Sequence, residues 1–149
     1  MPELDDLMLP ILLGWKEYLA LPELGIDRLK VKIDTGARTS TLHVAALQIL
    51  AEHRDGTADL ALSLPFDRRH PKRATTARAH MLRRVTVADS GGHREVRPLI
   101  ATEMVLGPVR KRIFLTLTDR SGMLFRMILG RNALEGHFLV DVSRKYLLR

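Results

Sequence analysis

Cysteine is absent from the 149 residues, which excludes disulfides and thiolate metal sites and fits a reducing compartment. Long apolar runs are absent too: none approaches the roughly 18 residues of a membrane-spanning helix. A basic leader is missing from the first residues, which carry Glu3, Asp5 and Asp6, so a cytoplasmic protein without membrane association is expected. Aromatics are few (Trp15, Tyr18, Phe66, Phe114, Phe125, Phe138 and Tyr146), and only Phe66 borders a basic run. That is a poor supply of platforms for stacking RNA bases. The histidines (His43, His53, His70, His80, His93 and His137) include no His-Glu-x-x-His pair, so their spacing calls for no metal. Nor is there a Gly-x-x-x-x-Gly-Lys-Ser/Thr loop to cradle a nucleotide, so no cofactor is expected.

Acids are in short supply. Lys and Arg number 24 against 17 for Asp and Glu, a net charge of +7. The excess is concentrated between Phe66 and Arg84, where Arg68, Arg69, Lys72, Arg73, Arg78, Arg83 and Arg84 face the single acid Asp67. A field of that sign attracts a polyanion: nucleic acid, anionic membrane or an acidic peptide. The same run also reads as a solvated loop with no partner. Apolar residues make up 46%, an ordinary globular content that at this length implies one domain, residues 1–149.

Alternation with period two recurs along the chain. Trp15 to Leu19 reads as a first strand, Leu29 to Ile33 as a second that delivers Asp34 at its end, and Thr39 to Leu42 as a third. Ala45 to His53 fits helix or strand equally. Residues 54–80, basic and punctuated by Pro65 and Pro71, read as an irregular region and a candidate flap over a cleft. Arg84 to Ala88, a turn at Ser90-Gly91-Gly92 and Glu95 to Ile100 predict a hairpin. Met104 to Leu106 precedes a turn at Gly107-Pro108, and Ile113 to Thr118 is a further strand. Met123 to Leu129 has the continuous apolar character of a strand buried on both faces. Arg131 to Glu135 predicts one short helical turn ended by Gly136, after which Phe138 to Val142 closes the sheet. Six to nine short strands of this kind indicate a small all-β barrel.

Asp34 stands at a glycine turn, Ile33-Asp34-Thr35-Gly36-Ala37, and Met127-Ile128-Leu129-Gly130-Arg131-Asn132 follows some ninety residues later. An acid before Gly is often only a turn residue bonding its own backbone. The downstream Leu-Gly-Arg element changes that balance, because the two together have the layout of a retropepsin-type aspartic protease subunit. Hydrolysis by such an enzyme needs one carboxylate as general base and one carboxylic acid as proton donor. A chain with a single Asp-Thr-Gly must find its second acid on another copy of itself, so a homodimer is expected with each Asp34 at the two-fold axis. Thr35 and Gly36 complete the expected catalytic turn.

More of the chain carries the resemblance. Gly14-Trp15-Lys16-Glu17, Leu21-Pro22-Glu23-Leu24-Gly25, Lys32 to His43, Leu117-Thr118-Asp119-Arg120 and Ile128-Leu129-Gly130-Arg131 resemble the bacterial retropepsin-like family once labelled putative ATP-dependent zinc proteases, whose best understood members resemble RimB. The resemblance implies a small closed acid-protease barrel with one short helix after the Leu-Gly-Arg element. It also implies work alongside the RimK glutamate ligase, trimming glutamates that the ligase adds to the C-terminal tail of a small-subunit ribosomal protein. Arg38 departs from the viral pattern, which places an acid there to pair with the Arg of Gly-Arg. With Arg38 and Arg131 lacking an acid between them, a substrate carboxylate is expected to fill the gap, unless Asp119, Glu135 or Asp141 neutralises them. Thr39, Ser40 and His43, with Lys72 and Arg73 of the basic run, are the remaining candidates for substrate binding. Thr39 and Ser40 read equally as strand residues capping the turn, and His43 as a structural histidine.

Two other classes stay open. One is a noncatalytic module that docks an acidic tail or regulates the ligase; the other is a ribosome- or RNA-binding domain suggested by the basic charge.

Overall fold

A computed structural model describes residues 9–64, 75–88, 91–119 and 124–148. Among them are eleven strands: β1 (Ile11–Leu13), β2 (Lys16–Leu21), β3 (Ile26–Ile33), β4 (Ser40–His43), β5 (Ala46–Glu52), β6 (Ala58–Leu64), β7 (Thr75–Ala88), β8 (Arg94–Leu106), β9 (Val109–Thr118), β10 (Met127–Leu129) and β11 (Phe138–Val140). One helical turn, α1 (Arg131–Leu134), follows β10. The sheet runs β2-β3-β10-β4-β9-β8-β7-β6-β5, and β2 meets β8 at Ala20 and Val105. That contact closes the first six strands into a barrel, so the expected small all-β acid-protease barrel with one short helix is the fold observed.

Alternating apolar residues line the barrel interior. Leu19 and Leu21 of β2, Leu29, Val31 and Ile33 of β3, Leu42 of β4, Leu115 and Leu117 of β9 and Met127 and Leu129 of β10 are all buried. β8 serves two structures. Its second half, from Leu99 onward, pairs with β9 inside the barrel, while its first half pairs with β7 in a long hairpin. β6 and β5 then extend the sheet to an edge.

Several expectations need correction. Residues 54–80 are not an irregular region as a whole: Ala58, Leu60, Leu62 and Leu64 are completely buried on β6, and β7 begins at Thr75. Small residues between the leucines and basic residues on either side hid a strict two-residue period. Ala45 to His53 resolves as strand β5. Met123 lies outside the described residues; the rest of its run is shortened to β10, with bends at 124–126 and Leu124 exposed. Phe138–Val140 pairs in parallel with β1 in a separate two-stranded sheet instead of closing the main one. Ser90 of the predicted hairpin turn lies outside the described residues, but the β7–β8 hairpin itself forms.

The two ends of the described chain are zipped together, which accounts for the Gly-Trp-Lys-Glu block. Glu17 is fully buried, and its carboxylate accepts hydrogen bonds from the backbone N–H groups of Gly14 (2.7 Å), Leu147 (2.9 Å) and Leu148 (3.1 Å). A Cβ on Gly14 would sit 2.5 Å from the Arg144 carbonyl oxygen, so only glycine permits this approach. Tyr146, held at φ 53 in the left-handed region, donates its N–H to the Lys16 carbonyl and stacks on Tyr18 at 4.8 Å. The Leu-Pro-Glu-Leu-Gly block is a single 3-10 turn whose Gly25, at φ 72, returns its N–H to the Pro22 carbonyl.

Candidate active site

β3 lies between β2 and β10, so its last residue emerges from the middle of the barrel wall. The Asp34 N–H donates to the Leu129 carbonyl (2.9 Å), and the Ala37 N–H closes a turn on the Asp34 carbonyl (3.2 Å). Within that turn the Gly36 N–H donates to Asp34 Oδ1 at 3.0 Å, the one hydrogen bond to this carboxylate among the described residues. Asp34 is partly exposed, and Thr35 and Gly36 are exposed.

The Leu-Gly-Arg element clamps this loop from the other side. Arg131 N–H donates to the Ala37 carbonyl and Asn132 N–H to the Arg38 carbonyl. Gly130 N–H donates to Ser40 Oγ at 2.9 Å, and Arg131 Nη1 donates to the Thr35 carbonyl at 3.0 Å. A Cβ on Gly130 would lie 2.4 Å from the Thr39 carbonyl oxygen, so only a residue without a side chain lets the two segments come this close. The two blocks singled out in the sequence are therefore one structural unit.

A groove of about 420 Å3 starts beside this loop. Gly36, Ala37, Arg38, Thr39 and Asn132 form one wall; Leu99, Phe114 and Thr116 of β8 and β9 form the floor; Arg83, Val85, Thr86, Val87 and Ala88 of β7 contribute the far wall. No acid is among its described lining residues. Among the described residues the segment opposite the Asp34 loop is the β7–β8 hairpin; residues 65–74 of the predicted flap lie outside the described residues. Before Leu99, residues 94–98 of this hairpin have no ladder to β9 and are tied down by side chains. Arg97 Nη1 reaches Thr41 Oγ1 (3.4 Å), Arg97 Nη2 pairs with Glu95 (3.2 Å), and Thr118 Oγ1 reaches Glu95 Oε1 (3.5 Å).

The predicted site residues fall into distinct places. Asp34, Thr35 and Gly36 form the loop, and Arg38 and Thr39 line the groove. Ser40 is buried and holds the Gly130 N–H, the structural half of its two readings. Arg131 turns its guanidinium to Thr35 and borders a separate hollow with Leu134 and Phe138. Neither Arg38 nor Arg131 has an ion pair with Asp119, Glu135 or Asp141 among the described residues; Asp141 pairs with Arg144. His43 is only 4% exposed, away from the groove, with Nδ1 lacking a partner. Burial, reinforced by Arg126 and opposed by Asp119, pushes its pKa down. Lys72 and Arg73 lie outside the described residues. Arg83, Arg97 and Phe114 escaped the sequence reading. The alternation of Arg83, Val85 and Val87 was the available signal, but it could not say which face of the strand meets Asp34. Among the described residues no three His, Asp or Glu side chains are grouped to hold a metal ion.

The sequence profile of the RimB-like family, described as "Retropepsin-like aspartic endopeptidase RimB", matches residues 12–149. A probable alpha-L-glutamate ligase of Shewanella pealeana is 34% identical over 137 residues, covering 92% of this chain and 30% of that protein. A protein of the same description from Parasynechococcus marenigrum is 35% identical over 143 residues, covering 93% of this chain and 29% of that one. The chain thus spans about 30% of the length of these curated relatives. Among solved structures, a Legionella pneumophila protein of unknown function superposes with a TM-score of 0.73 at 21% identity, covering 93% of this chain and 98% of the other, a likeness of fold.

Proposed function

From the premise that the chain belongs to the RimB-like family of retropepsin-like aspartic endopeptidases, we propose that it is a peptidase whose active site is completed by a second copy of itself. The observation that carries this reading is the Asp34 loop. Its carboxylate ends a central strand, is partly exposed, and receives one hydrogen bond from a backbone fixed by the Leu-Gly-Arg clamp.

In the dimer two Asp34 side chains meet at the two-fold axis. Carboxyls about 3 Å apart cannot both ionise, so the pair holds one proton. The ionised member takes a proton from water as its oxygen attacks the carbonyl carbon. The protonated member donates to the carbonyl oxygen. Collapse of the tetrahedral intermediate breaks the C–N bond: the first acid gives its proton to the leaving amine, and the second takes one back from a hydroxyl of the intermediate, so the dyad again holds one proton. Thr35, exposed beside the acid, holds the two loops together in the proposed dimer.

The proposed substrate is a glutamate-rich C-terminal tail of a small-subunit ribosomal protein, and the proposed partner is the RimK glutamate ligase, in the cytoplasm. Two features support it: the basic charge, and the description of the longer relatives as probable glutamate ligases. Those longer relatives also favour a second reading, in which the barrel is a noncatalytic module that regulates a ligase. Incubating a synthetic oligoglutamate-tailed peptide with wild type and Asp34→Asn, read by mass spectrometry, separates the two. Trimming by wild type alone supports the peptidase. Intact tails in both, with binding retained, leave the regulatory module. Sedimentation of the active protein as a strict monomer would remove the shared-proton mechanism.

A further inference from the structure

We infer that Arg83, and not Arg131, is the cation that works with Arg38, and that one substrate carboxylate binds between them in the groove. The inference rests on the peptidase reading for its purpose, but not for its geometry. Both residues line the 420 Å3 groove from different elements, Arg38 from the loop after Asp34 and Arg83 from β7. The sheet order β4-β9-β8-β7 places those elements on either side of the floor made by Phe114, Thr116 and Leu99.

Among the described residues they are the two cations that line this groove, and neither is paired with an acid. Arg84 pairs with Glu52, Arg97 with Glu95, Arg110 with Glu103 and Arg112 with Glu23. Arg131 donates to the Thr35 carbonyl and borders the other hollow. Arg38 and Arg83 are exposed, and among the described residues neither has an ion pair or a side-chain hydrogen bond. Two guanidinium groups on one groove with no acid among its described lining residues leave a charge deficit that a carboxylate satisfies, with charge-assisted hydrogen bonds about twice as strong as neutral ones. The rest of the groove is suited to the stem of that side chain. Val85, Val87, Leu99 and Phe114 offer apolar surface to aliphatic carbons, and an apolar lining strengthens the ionic contacts above it. A carboxylate on a short methylene stem fits both requirements; its amide isostere fits only the second.

The test uses the Asp34→Asn protein, so that peptides are bound without being consumed. Fluorescein-labelled oligoglutamate and oligoglutamine of equal length are titrated and followed by anisotropy. Adding Arg83→Gln is expected to weaken oligoglutamate binding about tenfold, the size of one lost charge-assisted hydrogen bond, and to leave oligoglutamine unchanged. Arg84→Gln, which removes the same charge next door, leaves the preference intact. Equal loss from Arg83→Gln and Arg84→Gln, or no loss from Arg83→Gln, overturns the inference. Because the readout is binding, the outcome stands whether or not the wild-type protein hydrolyses the tail; absent hydrolysis sinks only the peptidase reading.

Discussion

Glu17 and Asp34 are both held by main-chain N–H groups beside β-strands, and they differ in what remains unsatisfied. Glu17 is fully buried and takes three backbone donors, so its carboxylate is the knot that ties residues 147–148 to the start of β2. Asp34 is partly exposed and takes one donor, Gly36 N–H, with its second oxygen unclaimed among the described residues. A carboxylate whose lone pairs are occupied contributes to folding and has little left for chemistry. One held in place but left underused is available to a reactant. The two acids sit in sequence blocks that look equally specific, yet the fold gives them opposite tasks.

The largest effect separates the two acids directly. Glu17→Leu leaves three backbone N–H groups, one buried and two part-buried, without their acceptor and is expected to lower the unfolding free energy by about 3 kcal/mol. Asp34→Asn is expected to change it by less than about 0.5 kcal/mol, as for a surface substitution. Urea unfolding of the two variants side by side checks this. Similar losses in both would mean that Asp34 is as much a structural acid as Glu17.

Next comes the rigidity of the loop. Gly130→Ala places a methyl group 2.4 Å from the Thr39 carbonyl, where main chain cannot yield cheaply. Overpacking of this kind costs about 1–3 kcal/mol, and a loop shifted by an ångström loses about a hundredfold in rate. A Gly130→Ala protein that keeps full peptidase activity would show that the clamp does not position Asp34.

The barrel and the Asp34 loop were legible because their signals are local. Leu29 to Ile33 alternates strictly, and the Asp-Thr-Gly and Leu-Gly-Arg blocks carry glycines with steric reasons to be there. The groove was not legible, because it is assembled from β7, β8, β9 and the loop, which only the sheet order brings together. Arg83 and Arg131 look alike in sequence; their roles diverge because one borders the groove while the other reaches back to the Thr35 carbonyl. Glu17 was visible as part of a block, but its three partners lie as far as residues 147 and 148, beyond any short-range pattern.

His43 sharpens the comparison from a third position, buried like Glu17 but short of a partner like Asp34. Its pKa is lowered in the fold, chiefly by burial and then by Arg126, with Asp119 acting in the opposite sense. Below the ordinary value of 6.5 the unfolded chain therefore binds a proton that the native state resists. Stability is expected to be complete above that value and to fall as the pH drops toward the lowered native value, with a slope of at most about 1.4 kcal/mol per pH unit. His43→Gln should remove this slope while leaving other titrations in place. Urea midpoints collected from about pH 7 to about pH 5 decide the matter, and an unchanged slope would assign it to other groups.

Asp59 gives the smallest effect, because it reverses Asp34 in the other respect: it is partly exposed like Asp34, yet fully engaged. His53 Nε2 and His80 Nδ1 each lie 3.1 Å from a different oxygen of its carboxylate, linking β6 to the end of β5 and to β7. The His80 hydrogen bond, then that of His53, holds its pKa below the usual 3.8. A depressed carboxylate stabilises the fold above its unfolded value, and that contribution disappears as the pH falls through the native one. Asp59→Asn should therefore lower the urea midpoint slightly at neutral pH and have no effect in strong acid, where the wild-type carboxyl is protonated as well. At half exposure the staple is screened by solvent and salt, so the neutral-pH difference should shrink further in high salt. If it persists unchanged at low pH and in salt, Asp59 acts by packing and not through its two histidine partners, and the contrast with Asp34 loses its basis.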